Sequence, residues 1–175
     1  MVSIETLRNR AILLSLLIVV IGGLGWFLIV SDKDGSLFGE NLRNGDLPII
    51  DFNTLNITED EYLYCPLEIC TQSTPDGQSP IYDYNIAKLS RALFAYTDTN
   101  QAIQMRRRDL KAWQFDLSEY NQGQSFPDLI TIKFIPQEPS GTTIAIYSRS
   151  VVGKGTKERH KERVERWIRF IEANL

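Results

Sequence analysis

One histidine, His160, and two cysteines, Cys65 and Cys70, are the only imidazole and thiolate metal ligands in the sequence. Three such side chains do not complete the tetrahedral set that a structural zinc requires, so no metal is expected. The cysteines are spaced as CPLEIC rather than CxxC, which argues against thioredoxin-like redox catalysis. Also missing are a phosphate-binding P-loop, a glycine-rich dinucleotide fingerprint, an HExxH metalloprotease signature and a nucleophile elbow. No cofactor is therefore expected. Charge of one sign is missing too: 19 Lys and Arg stand against 22 Asp and Glu, a net −3, and this weak acidity argues against a nucleic-acid partner. No internal repeat is visible.

What the sequence does have begins with an apolar run. Ala11 to Val30 reads AILLSLLIVVIGGLGWFLIV, uncharged and with Ser15 its only polar side chain. About 20 residues at about 1.5 Å of rise match a hydrocarbon core of roughly 30 Å. A helix buried in a soluble core would show a polar face here. Arg8 and Arg10 precede the run and Asp32, Lys33 and Asp34 follow it, so the positive-inside rule puts residues 1–10 in the cytoplasm and the remainder outside. A cleaved signal peptide is the competing reading. Its apolar core is usually about 7–15 residues, however, and Ile29-Val30-Ser31 is a poor cleavage site. Gly22, Gly23 and Gly25 lack the GxxxG spacing of helix dimers, and no cysteine near the run accepts a lipid.

Residues 31–61 are rich in acids and have no clear periodicity, which reads as an acidic tether free to drape over the domain. Residues 62–175 carry the pattern of a folded domain. From Asp83 to Tyr96, the residues Ile86, Leu89, Leu93 and Tyr96 recur at helical spacing, with Asp83 as the expected cap. Alternating patterns predict strands at Ala102–Arg107, Leu110–Leu117, Leu129–Ile135 and Thr142–Ser150. The chain then ends in TKERHKERVERWIRFIEANL, where Val164, Trp167, Ile168, Ile171 and Leu175 form an apolar stripe. Pairs at i,i+4, Glu162 with Arg166 and Glu165 with Arg169, account for part of its charge. The expected architecture is α+β: an N-terminal transmembrane helix followed by a small antiparallel sheet with helices packed on one face.

Few side chains suggest chemistry. Outside the cytoplasm, Cys65 and Cys70 are free to form a disulfide, with two buried thiols as the alternative. Ser148 and Ser150 share a strand face with Ile144 and Ile146, and His160 precedes Val164 by one helical turn. A serine–histidine contact there would imitate a nucleophile and its base, although ordinary buried hydrogen bonding explains the same residues. Arg106, Arg107 and Arg108 form one basic run, and Lys154, Lys157, Arg159, Lys161 and Arg163 another. Either is a candidate contact for anionic headgroups, with a solvated surface as the plainer reading. Asn56-Ile57-Thr58 is formally a glycosylation sequon, relevant only in a eukaryotic secretory setting.

Four stretches together carry a resemblance: YLYCPLEIC from Tyr62 to Cys70, FPDLITIKFIP from Phe126 to Pro136, TTIAIYSRS from Thr142 to Ser150, and KERVERWI from Lys161 to Ile168. In this order they resemble the bacterial "domain of unknown function 1499" family over most of Tyr62 to Leu175. The resemblance implies a small, often membrane-tethered bacterial domain with no established activity. It also exposes a departure, because a Gly-Tyr-Ser-Asp-Phe-Gly-Val-Asn type of segment is replaced here by GKGTKERH, Gly153 to His160. Thr156 and His160 occupy the aspartate and asparagine positions, while Ser148, Arg149, Ser150 and Arg163 are retained. Those four residues and His160 make the candidate polar site. The expected function is a noncatalytic interaction module of the cell envelope, anchored by one span in the bacterial inner membrane and binding an envelope protein or anionic lipid. The alternative is a hydrolase-like enzyme using Ser148 or Ser150 with His160 and Arg163.

Overall fold

The computed structural model describes residues 47, 49–121, 126–151 and 155–175. The expected cytoplasmic residues 1–10 and membrane run 11–30 lie outside these. Among the described residues no helix is long and apolar enough to cross a membrane. The chain order is β1 (Tyr62–Tyr64), α1 (Ile86–Thr99), β2 (Ile103–Asp109), β3 (Gln114–Glu119), β4 (Asp128–Pro136), β5 (Thr142–Ser150) and α2 (Lys157–Ala173). The strands form one antiparallel sheet in the order β1-β5-β4-β3-β2, so four consecutive strands make a meander and β1 closes its far edge.

Element boundaries follow local chemistry. The N-cap of α1 is Asn85, whose side chain accepts from the Lys88 N–H at 3.0 Å, rather than the expected Asp83. Tyr82 exchanges two backbone hydrogen bonds of 2.9 Å with Thr142, so the chain is still held at the sheet edge one residue before Asp83. Likewise Leu110–Trp113 is a turn, not the start of a strand. The Asp109 carboxylate accepts from the N–H groups of Lys111 and Ala112, and Trp113 adopts a left-handed φ of 51°, so β3 begins only at Gln114. At the other end of the chain, the Thr156 hydroxyl caps α2 by accepting from the Arg159 N–H.

Both helices lie on one sheet face, as expected. Period-two alternation sends Phe115 and Leu117 of β3, Ile130, Ile132 and Phe134 of β4, and Ile144 and Ile146 of β5 toward the helices. There they meet Leu89, Leu93 and Tyr96 of α1 and Val164, Trp167 and Ile171 of α2. Full burial of each such side chain is worth roughly 1.5–3 kcal/mol, which makes this layer the main stabilising core. Tyr96 meets Trp167 edge-on with ring centroids 4.7 Å apart, joining the two helices.

The opposite face is also covered, by the described part of the stretch expected to be a tether, residues 47 and 49–61, while residues 31–46 lie outside the described residues. Phe52 is 1% exposed and packs with Leu63, Cys65, Cys70, Ala145 and Tyr147, flanked by Ile50, Leu55 and Ile57. In the amide orientation its neighbours require, Gln114 bonds both backbone groups of Ile50. The described residues from Ile49 onward thus belong to the domain, because their scattered apolar side chains fill the sheet face opposite α1 and α2. Cys65 and Cys70 form a disulfide within this layer.

The run Arg106–Arg108 is not a single surface patch. A bulge between Met105 and Arg107 separates the three side chains. Arg106 donates to the Ser118 hydroxyl at 2.7 Å, Arg107 pairs with buried Asp116 at 2.5 Å, and Arg108 stacks 3.9 Å above the Phe94 ring. The three guanidinium groups are thus directed to three different partners within the domain.

Candidate functional site

The register of the sheet sets Glu119, Asp128 and Ser150 side by side across β3, β4 and β5, one residue pair beyond the apolar core. Each continues the alternation that buries its own strand, so two carboxylates face the helices at one end of the helix–sheet layer. Two turns of α2 provide the partners. Arg163, 1% exposed, bonds Asp128 Oδ2 through Nη2 at 2.5 Å, and its Nε lies 3.5 Å from Glu119 Oε2. Arg159 reaches Asp128 Oδ1 at 3.1 Å and the Ser150 hydroxyl at 2.8 Å. Trp167 Nε1 donates to Glu119 Oε2 at 2.9 Å, and Arg166 bridges Glu119 and the Tyr96 hydroxyl. Asn121 donates to Asp128 Oδ2 at 3.0 Å. Burying such charges is tolerable only because each carboxylate meets cations and hydrogen-bond donors.

His160 sits inside this network with no exposed surface. Its Nδ1 lies 2.9 Å from Arg163 Nη1 and 2.9 Å from the Ser148 hydroxyl, while Nε2 lies 3.2 Å from the Ser150 hydroxyl. A guanidinium only donates, so Nδ1 accepts and the proton resides on Nε2. Burial, with help from the Arg163 cation and against the opposing pull of Asp128, pushes the imidazole down to about 4. The ring is therefore neutral at pH 7, and Ser150 receives its Nε2 proton while donating to Asp128 Oδ1 at 2.9 Å. Gly155 closes over the pair: a Cβ there would stand 2.6 Å from the Ser150 hydroxyl and would collide with the imidazole.

The structure thus brings together Ser148, Ser150, His160 and Arg163 of the expected polar site. It sends Arg149 to the opposite sheet face, where the guanidinium lies 4.9 Å from the Tyr147 ring, because adjacent strand residues point to opposite sides. Of the second basic run, Arg159 and Arg163 turn inward and Lys157 pairs with Asp76 at 2.7 Å. Asp128, Glu119, Arg166 and Trp167 are members that sequence reasoning missed. The signal was present, since Asp128 alternates with Ile130 and Ile132, and Glu119 with Leu117 and Phe115. Ending one expected strand at Leu117 and starting the next at Leu129 concealed it.

The contact geometry does not prepare a nucleophile. Ser148 is fully buried, and the imidazole nitrogen facing Ser150 already carries its proton and has no lone pair to act as a base. Among the described residues no three His, Cys, Asp or Glu side chains gather as a metal centre requires.

The other end of the same layer is open. A cleft of about 460 Å³ lies between the N-terminus of α1 and the β4–β5 hairpin, with Tyr84, Ile86, Trp113, Pro136 and Thr142 among its lining residues. Its walls are mainly apolar, and its volume falls within the range of small-molecule sites, roughly 300–1,000 Å³. No family model matches this chain, and no curated protein matches it.

Proposed function

We propose that this chain is a noncatalytic binding module of the bacterial envelope, held at the inner membrane by residues 11–30 with its domain outside the cytoplasm. One contrast carries the reading. The polar cluster is spent on internal hydrogen bonds and ion pairs, whereas the cleft beside Trp113 offers an unfilled apolar surface. The Cys65–Cys70 disulfide supports an oxidising compartment, and the arginines before the apolar run support the orientation. The resemblance to the "domain of unknown function 1499" family agrees with a tethered bacterial domain.

Two experiments test this. A periplasm-active reporter fused after Leu175 is expected to be active, and activity only from a cytoplasm-active reporter overturns the topology. A ligand-observed NMR screen of small apolar and amphiphilic molecules, run on the full chain in lipid discs, is expected to return saturable binders that Tyr84→Ala weakens. A screen with none sinks the binding role.

The hydrolase-like alternative draws on the Ser148–His160 contact of 2.9 Å. Covalent labelling of Ser148 or Ser150 by a fluorophosphonate would revive it. The expected result is no labelling, because Ser148 is fully buried and the imidazole nitrogen facing Ser150 carries its proton.

A further inference from the structure

Three features converge on the open cleft. The first is the start of α1, a 14-residue helix with no acid in its first turn. Asn85 takes the Lys88 N–H, and the N–H groups of Ile86 and Ala87, both lining the cleft, have no partner among the described residues. Unpaired N–H groups at a helix N-terminus favour an anion. The second is Thr142, also in the lining and fully buried, whose hydroxyl has no hydrogen-bond partner among the described residues. A buried hydroxyl left this way is costly unless something bonds it. The third is Lys88, whose ammonium lies 3.9 Å above the ring of Tyr84, a cleft wall, and so places a cation at the rim. Asp83, also in the lining, opposes these groups with one exposed carboxylate.

Resting on the binding reading above, we propose that the cleft takes a small monocarboxylate with an apolar body. Its carboxylate accepts from the Ile86 and Ala87 N–H groups and the Thr142 hydroxyl, and its ring or short chain lies against Tyr84, Trp113 and Pro136. Trp113 supports this assignment. A bulky side chain held at a φ of 51° is a strained arrangement, and such strain concentrates where a side chain must be presented to a ligand.

The probe is 3-phenylpropionate, with 3-phenylpropanol as its uncharged counterpart. Each is measured by equilibrium dialysis against the full chain in lipid discs, with empty discs as the blank. Saturable binding is expected, at least fivefold tighter for the acid than for the alcohol. Thr142→Val is expected to weaken the acid at least tenfold, the usual scale for losing a hydrogen bond to a charged group. Asp83→Asn is expected to tighten the acid and leave the alcohol unchanged. Tyr84→Ala, at an exposed position, weakens both and serves if the buried variant fails to fold. Equal binding of acid and alcohol with no response to Asp83→Asn overturns the carboxylate while leaving the cleft a binding site. Binding that none of the three variants changes, or no binding of either probe, overturns the proposal.

Discussion

The two ends of one helix–sheet layer are built from the same four-strand meander, yet they are finished in opposite ways. At the Asp128 end, α2 brings Arg159, Arg163 and Arg166 down onto two carboxylates, and the space is filled. At the Thr142 end, α1 starts above the hairpin and a cleft remains between them. The difference teaches that a dense polar cluster with a serine, a histidine and an aspartate need not be the reactive part of a domain. Where both carboxylates are met by guanidinium groups and an indole N–H inside the protein, the arrangement closes a layer, and capacity for a ligand lies where the layer stays open.

The strongest way to break the comparison is Asp128→Ala. It strips Arg163 of its main partner inside the protein, and loss of one member of a buried pair costs roughly 3–5 kcal/mol. Urea unfolding is expected to show that loss. A change under about 1 kcal/mol would mean the cluster is hydrated and available.

Next in size is a pH effect. His160 is near 6.5 in the unfolded chain and about 4 when folded, so between those values the unfolded state binds a proton that the folded state refuses. Its contribution is complete above about pH 6.5 and disappears as pH falls toward 4, by roughly 3 kcal/mol in all. Comparing unfolding free energies of the native chain and His160→Gln across this window isolates the term. Glutamine keeps one acceptor for Arg163 and one donor for Ser150 but does not titrate. Equal slopes would show that the imidazole is not held neutral.

Opening the Cys65–Cys70 bond with serines at both positions acts on the opposite sheet face. The short ring predicts a loss of roughly 2 kcal/mol with ligand binding at the cleft unchanged, read by urea unfolding and dialysis together. Altered binding would couple the two faces. The smallest stability effect belongs to the cleft itself: Tyr84→Ala is expected to shift unfolding by no more than about 0.5 kcal/mol while it weakens binding. A large shift would reveal the rim as part of the core.

Much of this was legible in the sequence, for physical reasons. Alternation reported the helix-facing rows of β4 and β5, and the stripe from Val164 to Ile171 reported α2, because both are buried against a single layer. The same alternation brought Ser148 and Ser150 toward His160. It failed where burial has other causes. Phe52 and Ile50 cover the second face from an irregular segment, and irregular coverage leaves no period to read. Arg166 was expected to pair with Glu162 along the helix, but it turns inward to Glu119, a partner 47 positions away that local spacing cannot reveal. Arg149 was grouped with Ser148 and Ser150 through the resemblance, although a strand sends adjacent residues to opposite faces. The cleft left no trace, since an unfilled volume is a property of how elements meet.

The arginine side chains of the polar end carry one further consequence, for the order of assembly. The guanidinium groups paired with Glu119 and Asp128 all come from α2, the last element in chain order. Until that helix docks, the sheet cannot bury this end without stranding two negative charges, so the partly emerged chain must keep it hydrated. The C-terminal helix thus acts as a latch, and the layer closes only after the rest of the domain has been delivered.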